Sequence, residues 1–174
     1  MATEAVDLNV SLLTGHSKRL ASRLFHQLPE SRNHARMEPS SAPDEYKILV
    51  EIPSPSGDSN RQVVLWMEDY VEPSVGFGEW HSHAGVETPD EDFTRQADGI
   101  IHLLQAILAD QIVLIYDVGG SYDGNWGLVD LRDEDALLEE LTSEFSPGRV
   151  KIRTWSGCGD REIGLEDLTA DSPA

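Results

Sequence analysis

Apolar residues recur at two spacings along the chain, and the switches between them mark the elements. Near the start, Leu8, Leu12, Leu20, Leu24 and Leu28 stand at multiples of four, with Phe25 beside Leu24 and basic residues between. That spacing predicts an amphipathic helix over Ser11 to Leu28. Glu38 to Asp44, rich in proline and serine, reads as a linker. From Tyr46 the period shortens to two: Tyr46, Ile48, Val50 and Ile52 alternate with Lys47, Leu49 and Glu51, the pattern of a strand. Pro53 to Asn60 is a turn-rich loop. Val63–Met67 and Val75–His83 follow as strands joined through Glu68 to Ser74, and the short connections predict an antiparallel meander.

The helical period then returns. Thr88 is placed to cap, Pro89 suits the first helical position, and Glu91 completes a capping box. Asp90, Glu91 and Asp92 sit in the first turn, where the helix dipole favours negative charge. Phe93, Ala97, Ile100, Leu104, Ile107 and Leu108 form the apolar stripe, which ends near Asp110 and leaves His102 facing solvent. Ile112 to Val118 is an apolar run suited to a central strand buried on both faces. Gly119 to Asn125 is a turn, and Trp126 to Leu131 the returning strand of a hairpin. A helix over Asp133 to Phe145, stopped by Pro147 and Gly148, leads to a last strand at Val150 to Trp155. The order predicts an α+β fold: a mostly antiparallel sheet of about five to six strands with helices packed on one face. The expected domain covers residues 40–160. An N-terminal amphipathic helix and linker precede it at 1–39, and a disordered tail follows at 161–174.

Charge narrows the range of partners. The 174 residues hold 13 Lys and Arg against 32 Asp and Glu, a net charge of −19. Residues 1–37 carry five basic and three acidic residues, so the other 137 carry eight basic and 29 acidic. Such a surface repels phosphate backbones and anionic lipid, which disfavours nucleic acid and membranes and favours a basic protein partner. The single cysteine, Cys158, excludes an intrachain disulfide and a cysteine-rich zinc module. No apolar run reaches the ~20 residues of a membrane span, and no secretory signal pattern is visible, so the expectation is a soluble cytoplasmic protein.

Chemistry is concentrated in Glu79-Trp80-His81-Ser82-His83. In an extended strand residues at i, i+2 and i+4 share a face, so Glu79, His81 and His83 are expected to project together, with Val75 and Phe77 on the same side and Trp80 opposite. Two imidazoles and a carboxylate can bind zinc, with Asp90, Asp92 or Glu79 as the third ligand and a spare carboxylate as base. Elsewhere the signals are thin. Gly76 and Gly78 lack the third glycine of a dinucleotide loop and mark a bulge or close backbone approach. Cys158 has no identifiable histidine partner. The acids Asp130, Asp133, Glu134 and Asp135 lack calcium-loop spacing, and Glu139, Glu140 and Glu144 read as a solvated face.

The His81-Ser82-His83 core resembles that of the JAB/MPN (JAMM) metalloproteases, in which His-x-His on a strand precedes Ser-x-x-Asp. Here the proline expected after the second histidine is Ala84, and Asp92 and Arg95 stand at the serine and aspartate positions. An upstream glutamate of that family would fall on a residue such as Glu51. A longer stretch, about residues 46–131, is similar to small uncharacterised bacterial proteins related to the immunity proteins of polymorphic toxin systems. That resemblance rests on the Ile-Pro-Ser-Pro loop, on Val75 to His83, and on the helix and apolar strand that follow. It implies binding and blocking of a basic toxin by a chain without cofactor, with Glu79, Trp80, His81 and His83 at the partner-binding face. The leading expectation is an acidic binding protein of this kind. The alternative is a zinc hydrolase with His81, His83 and Asp90 or Asp92 as ligands and Glu79 as base.

Overall fold

The computed structural model describes residues 8–40, 44–68, 72–83, 90–118, 126–132 and 149–164. The leucine spacing near the start yields helix α1 at Gly15–Gln27, which buries Leu20, Ala21 and Leu24. It begins later than Ser11 because Thr14 caps it, accepting from the Ser17 amide at 3.3 Å. Upstream, Val10–Leu12 forms a single 3-10 turn, and Leu13 makes a parallel bridge to Tyr46.

The segment expected as linker starts with a strand instead, β1 at Ala35–Pro39. Met37 is fully buried while Arg36 and Glu38 point outward, a period of two hidden in only five residues. Strand β1 pairs with β2 (Tyr46–Ile52), which pairs with β3 (Val63–Glu68), which pairs with β4 (Glu72–Phe77), all antiparallel. The expected meander is therefore present and one strand longer at its start. At the other end, Val75–His83 is not one strand. It folds into a hairpin of β4 and β5 (Trp80–His83), with Gly78 and Glu79 as the two-residue loop. Gly78 takes φ 62°, the left-handed conformation that the first central position of a type II′ turn requires.

The five-stranded sheet has two unlike faces. One carries Met37, Ile48, Val50, Val63, Leu65, Met67, Val75 and Phe77, every one of them at 1 % exposure or less. Helix α1 covers the β2 part of this face, where the Ile48 amide donates to Ser17 Oγ. Helix α2 (Asp90–Leu108) lies beside α1: Phe93 meets the His16 ring edge-on at 4.7 Å, and Arg23 and Gln27 both donate to Asp98. Phe93, Ala97, Ile100, Leu104 and Ile107 are buried as the stripe predicts, and His102 is exposed. Thr88 and Pro89, the expected cap, lie outside the described residues.

A second sheet of four strands runs in the order β7-β6-β8-β9, so the α+β class holds with two antiparallel sheets rather than one. Strand β6 (Ile112–Val118) is central, between β7 (Trp126–Asp130) and β8 (Arg149–Arg153), and buries Val113, Leu114 and Ile115 across both of its faces. Strand β9 (Arg161–Gly164) occupies the start of the expected tail, and Ile163 packs on the cluster of Val113, Ile115, Val129, Val150 and Ile152. The expected turn at 119–125, the helix at 133–145 and residues 165–174 lie outside the described residues.

The chain divides into two units, residues 1–53 with 62–105, and residues 54–61 with 106–174, where the sequence pattern predicts one domain over 40–160. In the second unit the Pro53–Asn60 loop is not a free turn. Ser54 is buried and donates to the Trp155 carbonyl at 2.6 Å, and Arg61 holds Asp160, Asp58 and the Thr154 carbonyl. Those carboxylates push the Arg61 guanidinium further up from an already high value, with the Asp160 hydrogen bond the largest cause. Helix α2 ends in a Schellman motif: Gln111 donates to the Ala106 carbonyl and Asp110 to the Ile107 carbonyl. Asp110 takes the left-handed position at φ 54°, and its carboxylate accepts from the Ser156 amide at 2.9 Å.

Candidate functional site

The other face of the first sheet carries the chemistry. Residues directly opposed in an antiparallel pair lie on the same face, so the register sorts the side chains. Trp66 opposes Ser74, which opposes His83; Val64 opposes Gly76, which opposes His81. These six residues share the outer face. Phe77 opposes Trp80 and Val75 opposes Ser82, so those four belong to the inner side.

This arrangement corrects part of the expected geometry. His81 and His83 project together as period two demands, and both are exposed. Val75 and Phe77 do not accompany them: the turn at Gly78 and Glu79 reverses the chain, so alternation cannot be counted through it. Glu79 sits in that turn rather than on a strand face. It still reaches the same place, because Glu79, His81 and His83 line one pocket of about 440 Å³ with Gln62, Val64, Trp66, Gly76, Gly78 and Trp80.

The pocket wall is aromatic. The Trp66 ring stands 6.5 Å from the His81 ring and 6.4 Å from that of His83, and the two imidazoles are 5.0 Å apart, edge to face. Glycine at position 76 makes room for the indole: a Cβ there would come within 3.2 Å of Trp66 Cζ3. The close approach expected of the Gly76-x-Gly78 pair is thus that of a side chain. Beneath the imidazoles, fully buried Ser74 shares a hydrogen bond of 2.8 Å with His83 Nδ1, which fixes the ring and places Nε2 on its far side. Glu79 and the Gln62 side chain make no hydrogen bond or ion pair among the described residues.

A catalytic zinc takes three protein side chains and a water. Among the described residues no three His, Cys, Asp or Glu side chains are placed to share an ion, so Glu79 does not complete a set with the two histidines. Glu51 lies in the same cross-strand row as His81 but three strands away, roughly 14 Å at the usual spacing. It is paired there with Arg36. The side chains of Asp90 and Asp92 lie outside the described residues. Sequence reasoning missed Trp66, Gln62 and Ser74. Trp66 alone carried a signal, as the outward position between inward Leu65 and Met67.

Cys158 is exposed with its thiol unpaired to another cysteine. Among the described residues no helix is long and apolar enough to cross a membrane. Compared with protein-family models, with curated proteins and with solved structures, the chain matches none.

Proposed function

We propose that the chain is a cytoplasmic, non-enzymatic binding protein of the immunity kind, which takes up a basic protein partner and neutralises it. One observation supports the reading above others: the outer face of the first sheet holds a pocket whose one formally charged lining residue, with histidine counted as neutral, is a carboxylate, Glu79, in a chain of net charge −19. Long-range attraction brings a basic surface to such a protein faster than diffusion alone and falls with ionic strength. Trp66 supplies the large, rigid side chain that anchors interfaces. A toxin with a basic active surface is the kind of partner this chemistry selects.

The test is selection of a random peptide display library on the purified chain. The enriched peptides are expected to be rich in arginine and lysine, to lose affinity as salt rises from low to physiological strength, and to compete with one another for the β3–β5 face. Enrichment of neutral or acidic peptides, or of none, overturns the reading.

A zinc hydrolase is the second reading, favoured by the 5.0 Å approach of the His81 and His83 rings beside Glu79. Its third ligand would have to come from residues such as Asp90 or Asp92. Metal analysis of protein purified without a histidine tag decides it: stoichiometric zinc that disappears in the His81→Ala, His83→Ala double variant supports the hydrolase.

A further inference from the structure

We infer that the β3–β5 pocket is a receptor for a guanidinium group, the side chain of an arginine presented by the partner. The inference rests on the binding function proposed above and specifies what that site recognises. Three features of the pocket converge on this ligand.

First, the Trp66 indole packs close over Gly76, where no Cβ intervenes, and this half-buried ring is part of the pocket lining. A planar cation stacks on such a ring through both the π quadrupole and dispersion, and arginine does so more readily than lysine because its guanidinium is flat and weakly hydrated. Second, Glu79 stands on the hairpin loop at the pocket rim, with its carboxylate uncommitted among the described residues. A carboxylate accepts two parallel N–H bonds from one guanidinium fork, which fixes the orientation of the cation as well as its sign. Third, the Gln62 side chain, across from the Gly78-Glu79 turn in the same lining, makes no hydrogen bond among the described residues, and its amide oxygen can accept from the remaining guanidinium donors. The pocket offers no lysine or arginine that would compete for Glu79. A phosphate or carboxylate ligand would find no lysine or arginine in the lining to meet it.

The loop geometry holds Glu79 in place. Gly78 is left-handed, and its amide reaches back to the Gln62 carbonyl at 3.5 Å, so the turn, Gln62 and the start of β5 move as one. On the far wall, Ser74 anchors His83 from below, and His81 packs on His83. The pocket is thus built before the ligand arrives, which lowers the ordering cost of binding.

The experiment titrates the full chain with N-acetyl-arginine amide, followed by NMR at the tryptophan indole and histidine ring signals. The citrulline amide, which has the same shape without the charge, and the lysine amide serve as matched probes. The expected result is a shift of the Trp66 indole and the His81 and His83 rings by the arginine amide, with half-saturation on the order of 1–10 mM for a lone side chain. Citrulline should bind at least about tenfold more weakly, and lysine should be intermediate. Glu79→Gln, at an exposed turn position, should weaken arginine about tenfold and citrulline distinctly less, since citrulline brings no charge to the lost carboxylate. Equal binding of arginine and citrulline, or shifts confined to residues away from β3–β5, overturns the assignment.

Failure here is separable from failure of the broader reading. Basic peptides from the display selection that bind Glu79→Gln and Trp66→Ala with undiminished affinity sink the guanidinium pocket and leave the acidic binder standing. An arginine amide that binds as described while the selection yields no basic peptide sinks the immunity-like role instead.

Discussion

At position 76 a hydrogen atom in place of a side chain decides where an indole lies. A Cβ there would come within 3.2 Å of the Trp66 ring, so the glycine lets the aromatic wall of the pocket pack close over the strand. Gly76→Val puts a branched Cβ within 3.2 Å of Cζ3 and 3.4 Å of the Trp80 carbonyl oxygen, a case of overpacking that costs about 1–3 kcal/mol. The midpoint of thermal unfolding should drop by several degrees, at about 2–4 °C per kcal/mol for a chain of this length. The Trp66 indole signal should move in the same variant, and an unchanged signal would mean the ring does not rest on residue 76. That position 76 needed glycine was legible from the sequence. Which side chain needed the space was not, because Trp66 comes into register with Ser74 only through strand pairing.

At the scale of elements, the helices were the clearest part of the sequence and their partners the least clear. Apolar stripes at helical spacing located α1 and α2 to within a few residues, since one turn repeats every 3.6 residues whatever the helix packs on. Nothing in that period says that Arg23 and Gln27 of α1 meet Asp98 of α2, some 75 positions away. The hydrogen bond from Arg23 holds the Asp98 carboxyl below its ordinary range, burial opposes that, and Gln27 adds to it. The sign follows directly. A carboxyl with a depressed folded value contributes stability above its unfolded value of about 3.9, and this is lost as pH falls through the folded value. The urea midpoint should therefore fall more between pH 7 and pH 3 in the native chain than in Asp98→Asn. Equal falls in the two proteins would show that the α1–α2 pairing carries no proton linkage. The split of Val75–His83 into a hairpin belongs to this scale too. Gly78-Glu79 between apolar stretches is a sequence signal for a type II′ turn, but the unbroken alternation of His81 and His83 with their neighbours masks it.

For the whole molecule the net charge of −19 weighs most, because like charges repel throughout the folded surface more than along an extended chain. Salt screens that repulsion over a Debye length of about 8 Å at physiological strength. The thermal midpoint should accordingly rise between low and physiological salt. A midpoint that falls instead would mean that ion pairs such as Arg61–Asp160 and Arg36–Glu51 outweigh the repulsion. The same charge is the basis of the binding function proposed for the chain, so screening should strengthen the fold while weakening the complex.

The sequence by itself determined the α+β class, the helical and extended periods, the acidic surface and the shared outward direction of His81 and His83. Each of these depends on neighbours within a turn of helix or a few residues of strand, or on a simple count of charges. Tertiary structure alone decided that there are two sheets, that Val75 and Phe77 turn away from the histidines, and that Glu79 reaches them from a loop beside Trp66 and Gln62. Those facts depend on which strands pair and in what register, and register is set by burial summed over the whole sheet rather than by any local run of residues.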